Sequence, residues 1–210
     1  MTHIETPVLV VGAGPVGMTA ALLLSRLGIP SRIVERRAAP QSAPAARVVN
    51  ARTFEIFRAA GVDMQAITAA CQDPADAGQV RWVTTLAGQE LGRLPYERQS
   101  DDTLAYTPTP LRNLSQHRLE PILLDEVRRQ TNIEIAHGHE WEGAEQDNTG
   151  VRSSLRDHAR GTLYEVRSRL GSSTSRAPSP TTTTRSRPMA ARYATMCQPR
   201  CPARASRTPG

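Results

Sequence analysis

Lysine is absent from this chain of 210 residues, so every one of its 26 basic residues other than histidine is arginine. That argues against an NAD-dependent dehydrogenase built on a Tyr/Lys acid–base pair. Cysteine is scarce: Cys71, Cys197 and Cys201 cannot make a disulfide framework, and the Cys197/Cys201 CxxxC pair has no His or Cys partners at zinc-site spacing. No metal site is expected, and a reducing, cytoplasmic setting fits best. Long apolar runs are missing too. The stretch "PVLVVGAGPVGMTAALLL" is broken by glycine and proline, and the N-terminus has no basic region or cleavage site, so neither a membrane span nor a signal peptide is expected.

Acidic residues are absent from 171–210, which carries seven arginines, whereas 1–170 carries 19 arginines against 20 acids. The net charge of +6 therefore belongs to the end of the chain, and a nucleic-acid partner is not expected from it. The Arg, Ala, Gly and Pro bias resembles translation of a GC-rich gene. The first 170 residues suffice for a core of their own.

What is present is a βαβ unit in residues 7–35. A continuous apolar run, Val8 to Val11, has the character of a strand buried on both faces of a parallel sheet. A helix follows from about Pro15 to Leu27, with proline at its start and Gly28 past its end. "SRIVE" is the second strand. Between the first strand and the helix, Gly12, Gly14 and Gly17 form GxGxxG. Gly12 permits the tight turn, Gly14 lets backbone approach a pyrophosphate, and Gly17 lets the helix lie close on the sheet. The unpaired N–H groups of the helix then face the pyrophosphate. Glu35, 23 residues after Gly12, is placed to accept the hydroxyls of an adenosine ribose. An acid there disfavours NADP at this site; FAD and NAD both remain open.

Residues 36–61 run through a Pro/Ala-rich basic loop into an amphipathic helix bearing Phe54, Ile56 and Phe57, rather than into the next strand of a simple dehydrogenase. Residues 79–96 alternate as a hairpin turning at Ala87 and Gly88, with Trp82 and Tyr96 read as core more readily than as pocket. "SQHRLEPILLDEVRRQ" is a helix with Leu119, Ile122, Leu123 and Val127 at helical spacing. His137 and His139, an HxH on one strand, read as a solvated strand end. Antiparallel strands joined by Asn/Gly and Arg/Gly turns follow to Leu170.

Three segments, "VLVVGAGPVGMTAALLLSRLGIPSRIVERR", "NARTFEIFRAAGV" and "NLSQHRLEPILLDEVRR", in this order and at these separations, resemble the N-terminal part of the class A flavoprotein monooxygenases. These are the para-hydroxybenzoate hydroxylase-like enzymes, in particular the phenol, chlorophenol and polyketide hydroxylase branch. The resemblance spans roughly residues 5–170. It implies FAD as cofactor, NADPH or NADH as co-substrate, and hydroxylation of a small aromatic substrate with O2, the chain itself contributing no assignable catalytic base. It further implies that Gly12, Gly14 and Gly17 hold the pyrophosphate, Glu35 the adenosine ribose, Arg36 the adenine and ribose, and Gln116 the ribityl-phosphate region. Apart from the resemblance, Gln116 reads equally as a helix cap. Where relatives carry Pro-Arg-Ala, this chain has Pro44, Ala45 and Ala46. Either Arg47 serves that loop from a shifted register or the contact is missing.

The expected fold is α/β: a Rossmann-like FAD-binding domain over 1–170, with a parallel sheet, helices and a β-meander, incomplete, with 72–110 as an excursion that starts the substrate-domain β-sheet. Residues 171–210 are expected to be a disordered tail, since 32 of these 40 residues are Ala, Arg, Ser, Thr or Pro and none is Val, Ile, Leu, Phe or Trp. The Ala-Asp-Gly motif of the resembled family is missing where the tail begins. A phosphate-binding arm and a linker are two readings of the tail; an out-of-frame translation after a frameshift near codon 170 is favoured by the abruptness of the change. Translating the DNA beyond codon 170 in the other two frames is expected to give an Ala-Asp-Gly followed by a long coherent open frame. Random codons in both frames contradict the frameshift.

Overall fold

The computed structural model describes residues 3–96 and 101–173. In chain order the elements are β1 (His3–Val11), α1 (Pro15–Arg26), β2 (Ser31–Glu35), β3 (Val48–Val49), α2 (Ala51–Ala60), α3 (Met64–Ala70) and α4 (Pro74–Ala77). Then come β4 (Gln79–Val83), β5 (Glu90–Pro95), a short 3-10 turn (Asp101–Ala105), β6 (Arg112–Asn113), α5 (Gln116–Arg129), β7 (Ile133–His137), β8 (His139–Asp147), β9 (Gly150–Asp157) and β10 (Thr162–Ser173). Local chemistry sets several boundaries. Pro15 opens α1, where its missing N–H is no loss. Asn50 caps α2 by accepting the Thr53 N–H at 2.8 Å, and Gly61 ends it at φ 84°.

The main sheet has the order β7-β2-β1-β10-β9-β8. The first four strands are parallel neighbours, with Val10 opposite Ile33 and His3 opposite Glu165, while β9 and β8 add antiparallel to β10. The alternation of side chains along a strand then sorts the apolar residues into two layers. Val8, Val10, Ile33 and Ile133 face α1, α2 and α5, packing with Met18, Leu22, Phe54, Phe57, Leu123 and Val127. Leu9 and Val34 face the other way and meet Leu155, Tyr164 and Val166 of the meander, with Trp141 against them. Both sides of β1 are therefore covered, which explains its unbroken apolar run. Leu9, Ile33, Leu123 and Leu155 are fully buried, each stabilising the fold by about 1.5–3 kcal/mol relative to exposure.

The fold departs from expectation at three places. His137 and His139 do not share a strand: Gly138 turns the chain at φ 74° between β7 and β8, which lie at opposite ends of the sheet order. Trp82 is not core but 48% exposed, because β4 and β5 form a separate two-stranded sheet with no apolar layer against it among the described residues. Strand β10 runs to Ser173, past Leu170, with Gly171, Ser172 and Ser173 opposite Leu9, Val10 and Val11. Backbone pairing with β1 asks nothing of side chains, so the compositional change at 171 does not end the strand. The rest of the expected tail, from residue 174, lies outside the described residues.

Among the described glycines, Gly17 is the most closely packed. A Cβ there would sit 2.0 Å from the Gly12 carbonyl oxygen and 3.2 Å from Val10 Cγ1. Gly17→Ala is expected to push α1 off the sheet and destabilise the chain by about 1–3 kcal/mol, in the range of overpacked cores. Thermal unfolding checks this, and an unchanged melting temperature contradicts it.

Candidate functional site

At the end of β1 the backbone turns at Gly12, which has φ 105° and donates its N–H to the Val34 carbonyl at 2.8 Å. Only glycine adopts that conformation without strain. Gly14 caps α1 from ordinary extended backbone (φ −76°, ψ 178°) and supplies no side-chain hydrogen bond. A Cβ on Gly14 would have no neighbour nearer than Glu120 Oε1 at 4.0 Å. The three glycines thus do different things: Gly12 turns the chain, Gly17 seats the helix, and Gly14 leaves open space before an uncapped helix start. Such a start carries unsatisfied N–H groups and the positive end of the helix dipole, the local chemistry that takes a phosphate.

Glu35 ends β2 beside this turn and is buried. Its Oε2 accepts the Ala13 N–H at 2.9 Å, and its Oε1 accepts the Arg37 N–H at 2.9 Å and Arg37 Nε at 3.1 Å. Burial pushes the Glu35 carboxyl up, but these hydrogen bonds and the Arg37 charge together hold it below the usual carboxylate range. Arg37 continues the chain of contacts, donating Nη1 to Gln41 Oε1 at 2.8 Å and placing Nη2 3.7 Å from Glu120 Oε1. Glu120, on α5, is fully buried; it accepts the Gln41 N–H at 2.6 Å and Gln116 Nε2 at 2.7 Å. Burial lowers the affinity of the Arg37 guanidinium for its proton, and the two carboxylates outweigh this and raise it.

A pocket of about 240 Å³ opens here, lined by Gly12, Gly14, Glu35, Arg36, Arg37 and residues 139–141 of β8, among others. Of the residues expected from the sequence, Gly12, Gly14, Glu35 and Arg36 surround it, with Gly17 directly behind. Gln116 reaches the same network through Glu120 and is not a capping residue: it is the first residue of α5, whose N-cap is Ser115. Arg47 stands apart. Its carbonyl accepts the Leu114 N–H at 2.7 Å, and its exposed side chain lines a different pocket of about 360 Å³ with Gln72, Tyr96 and Asn113.

Arg37 and Glu120 are the residues that reading the sequence missed. Nothing separates Arg37 from Arg36 in a linear string, and only the end of β2 decides which of the two faces Glu35. Glu120 carried one usable signal, its place one helical turn after Gln116. The donor set fits a dinucleotide: open space at Gly14 beside an uncapped helix for a diphosphate, a carboxylate for ribose hydroxyls, and arginines around it. Among the described residues no group of three or more His, Cys, Asp or Glu is placed to hold a metal ion. No described helix is long and apolar enough to cross a membrane.

Comparison with known proteins agrees with this chemistry. Residues 5–171 match the family model for the FAD binding domain. The chain is 34% identical to 2,4-dichlorophenol 6-monooxygenase of Delftia acidovorans over 80% of its own length and 29% of that enzyme's. It is 35% identical to a putative polyketide hydroxylase of Streptomyces halstedii over 78% of its length and 29% of the relative's. Among solved structures, the flavin-dependent monooxygenase PieE in complex with FAD and substrate superposes with a TM-score of 0.73 at 37% identity, covering 80% of this chain and 30% of PieE. The chain spans just under a third of the length of each of these three proteins. It belongs to the FAD-binding domain family, and its relatives include a chlorophenol monooxygenase, a putative polyketide hydroxylase and the flavin-dependent monooxygenase PieE.

Proposed function

We propose that this chain is the FAD-binding part of a monooxygenase that hydroxylates a phenolic or polyketide-type aromatic substrate with NADPH or NADH and O2. The observation that carries the reading is the open space at Gly14 before an uncapped α1, bordered by the buried Glu35 carboxylate. Gly12, Gly14 and Gly17 shape the seat for the pyrophosphate, Glu35 takes the adenosine ribose, and Arg36 takes the adenine and ribose from the pocket rim. Gln116 takes the ribityl region. Arg47, which lines its own pocket with Gln72, Tyr96 and Asn113, serves the loop after β2 from a shifted register, in place of the arginine expected two residues earlier. Bound FAD supplies the redox and oxygen-transfer chemistry; the chain binds, orients and excludes water. A cytoplasmic setting and the absence of a nucleic-acid partner belong to the same proposal.

A second reading is that the 210-residue chain binds FAD without turnover, favoured by the change of composition at residue 171, since residues 171–210 contain no Val, Ile, Leu, Phe or Trp. Consumption of NAD(P)H by the purified chain with a phenol present separates the two, since a remnant consumes none.

Two outcomes test the proposal. The purified chain supplied with FAD is expected to turn yellow and to melt higher, with stabilisation of about 2.7 kcal/mol when free FAD is a hundredfold above Kd. A colourless chain with an unmoved melting temperature contradicts FAD binding. Gly14→Ala adds a Cβ that no described atom opposes, so the apo melting temperature stays put while FAD affinity falls about tenfold or more, equivalent to at least about 1.4 kcal/mol. Unchanged affinity on flavin-fluorescence titration places the pyrophosphate elsewhere.

A further inference from the structure

Glu120 is fully buried, yet it is a carboxylate on the inner face of α5, next to Leu119 and one turn before Leu123 and Leu124. For the fold alone such a group is a poor choice. Burying a charge is costly even when paired, and apolar residues of similar size in its place are often neutral or stabilising. Its partners come from two segments distant in sequence: Arg37 and Gln41 from the loop after β2, and Gln116 from the first turn of α5. Through Arg37 it is joined to Glu35, and through Glu35 to the Ala13 N–H in the glycine turn. One line of hydrogen bonds and ion pairs therefore runs from the pyrophosphate seat, past the ribose acceptor, to the residue proposed to meet the flavin's ribityl chain.

We propose that Glu120 is a positioning residue that fixes which face of the Gln116 amide the cofactor meets. The inference rests on the proposal that FAD lies along this groove. A carboxylate only accepts hydrogen bonds, so Gln116 must turn its NH2 toward Glu120, as it does at 2.7 Å, and present its carbonyl oxygen on the other side. Gln116 then offers the cofactor an acceptor, the group that a ribityl hydroxyl can donate to. Were the neighbour neutral, either end of the amide could face the groove. Glu120 Oε1 is also the nearest atom to the space left open at Gly14. A free acid so close would repel a diphosphate; the Arg37 guanidinium and the amide donors spend its charge inward.

The test is a double-mutant cycle on the full chain, Glu120→Gln and Gln116→Ala, singly and together. FAD affinity is read by flavin fluorescence, and the apo melting temperature serves as control. Each single change is expected to weaken FAD binding about tenfold, and the double variant to bind as each single one does, because Glu120 acts through Gln116. A double variant weakened about a hundredfold, the product of independent effects, overturns the proposal, as does Glu120→Gln with unchanged affinity. Should Glu120→Gln lower the apo melting temperature, Glu120→Asp keeps the charge and withdraws it by one methylene; the cycle is repeated with it and the same two results decide. A wild-type chain that fails to bind FAD sinks the functional reading, and the proposal is then decided on the apo chain by NMR. The Gln116 side-chain NH2 resonances are expected to be shifted and distinct in the wild type and to move to free-amide positions in Glu120→Gln; signals already at free-amide positions in the wild type overturn it.

Discussion

The contact between Gly17 and the Gly12 carbonyl oxygen sets the geometry on which the rest of the domain depends. No side chain fits between α1 and the turn, so the helix lies directly on the end of β1. That places the first turn of α1 beside the C-terminal ends of β1 and β2, with Glu35 adjacent and Gly14 facing open space. In an open α/β sheet, ligands bind at the carboxyl ends of the strands, and the topology here puts helix start, carboxylate and arginines at that edge together. Had α1 been lifted by a single methyl group, its positive end would have been aimed elsewhere.

A second constraint is electrostatic. Two buried carboxylates, Glu35 and Glu120, flank a place suited to a diphosphate, which would be self-defeating if either were free. Both are instead turned inward onto Arg37 and onto backbone or amide N–H groups. Glu120 and the Oε1 of Glu35 thereby organise the loop that follows β2, while Glu35 Oε2 accepts only the Ala13 N–H among the described residues and keeps acceptor capacity for ribose hydroxyls. The loop has no regular structure of its own from 36 to 47, and Glu120 is one of the anchors that tie it to α5; the Ala46 and Arg47 carbonyls, which accept the Gln116 and Leu114 N–H groups, are others. The same charges that shape the site therefore also hold its rim in place.

How much of this was legible in advance follows the range of the interactions. The β1-α1-β2 unit could be read residue by residue because turn, helix start and strand ends are decided within a few positions of glycine and proline. The meander was readable from its Asn/Gly and Arg/Gly turns. What escaped were features that depend on partners far along the chain. His137 and His139 look like neighbours on one strand until Gly138 turns between them. Trp82 looks like core until its hairpin proves to be a two-stranded sheet on its own. Ser172 and Ser173 look unable to pack, yet β1 offers them a backbone edge. Arg37 and Glu120 acquire their meaning only when the loop after β2 meets α5, 79 residues separating Gln41 from Glu120.

The most direct measurement is an amide NMR titration of the chain with FAD. Binding at the glycine turn predicts that the largest shifts fall on the N–H groups of Ala13, Gly14, Val16, Gly17 and Arg37, with those of the β4–β5 hairpin smaller. Largest shifts centred instead on the pocket bounded by Arg58, Cys71 and Arg112, with the α1 start unmoved, would contradict it.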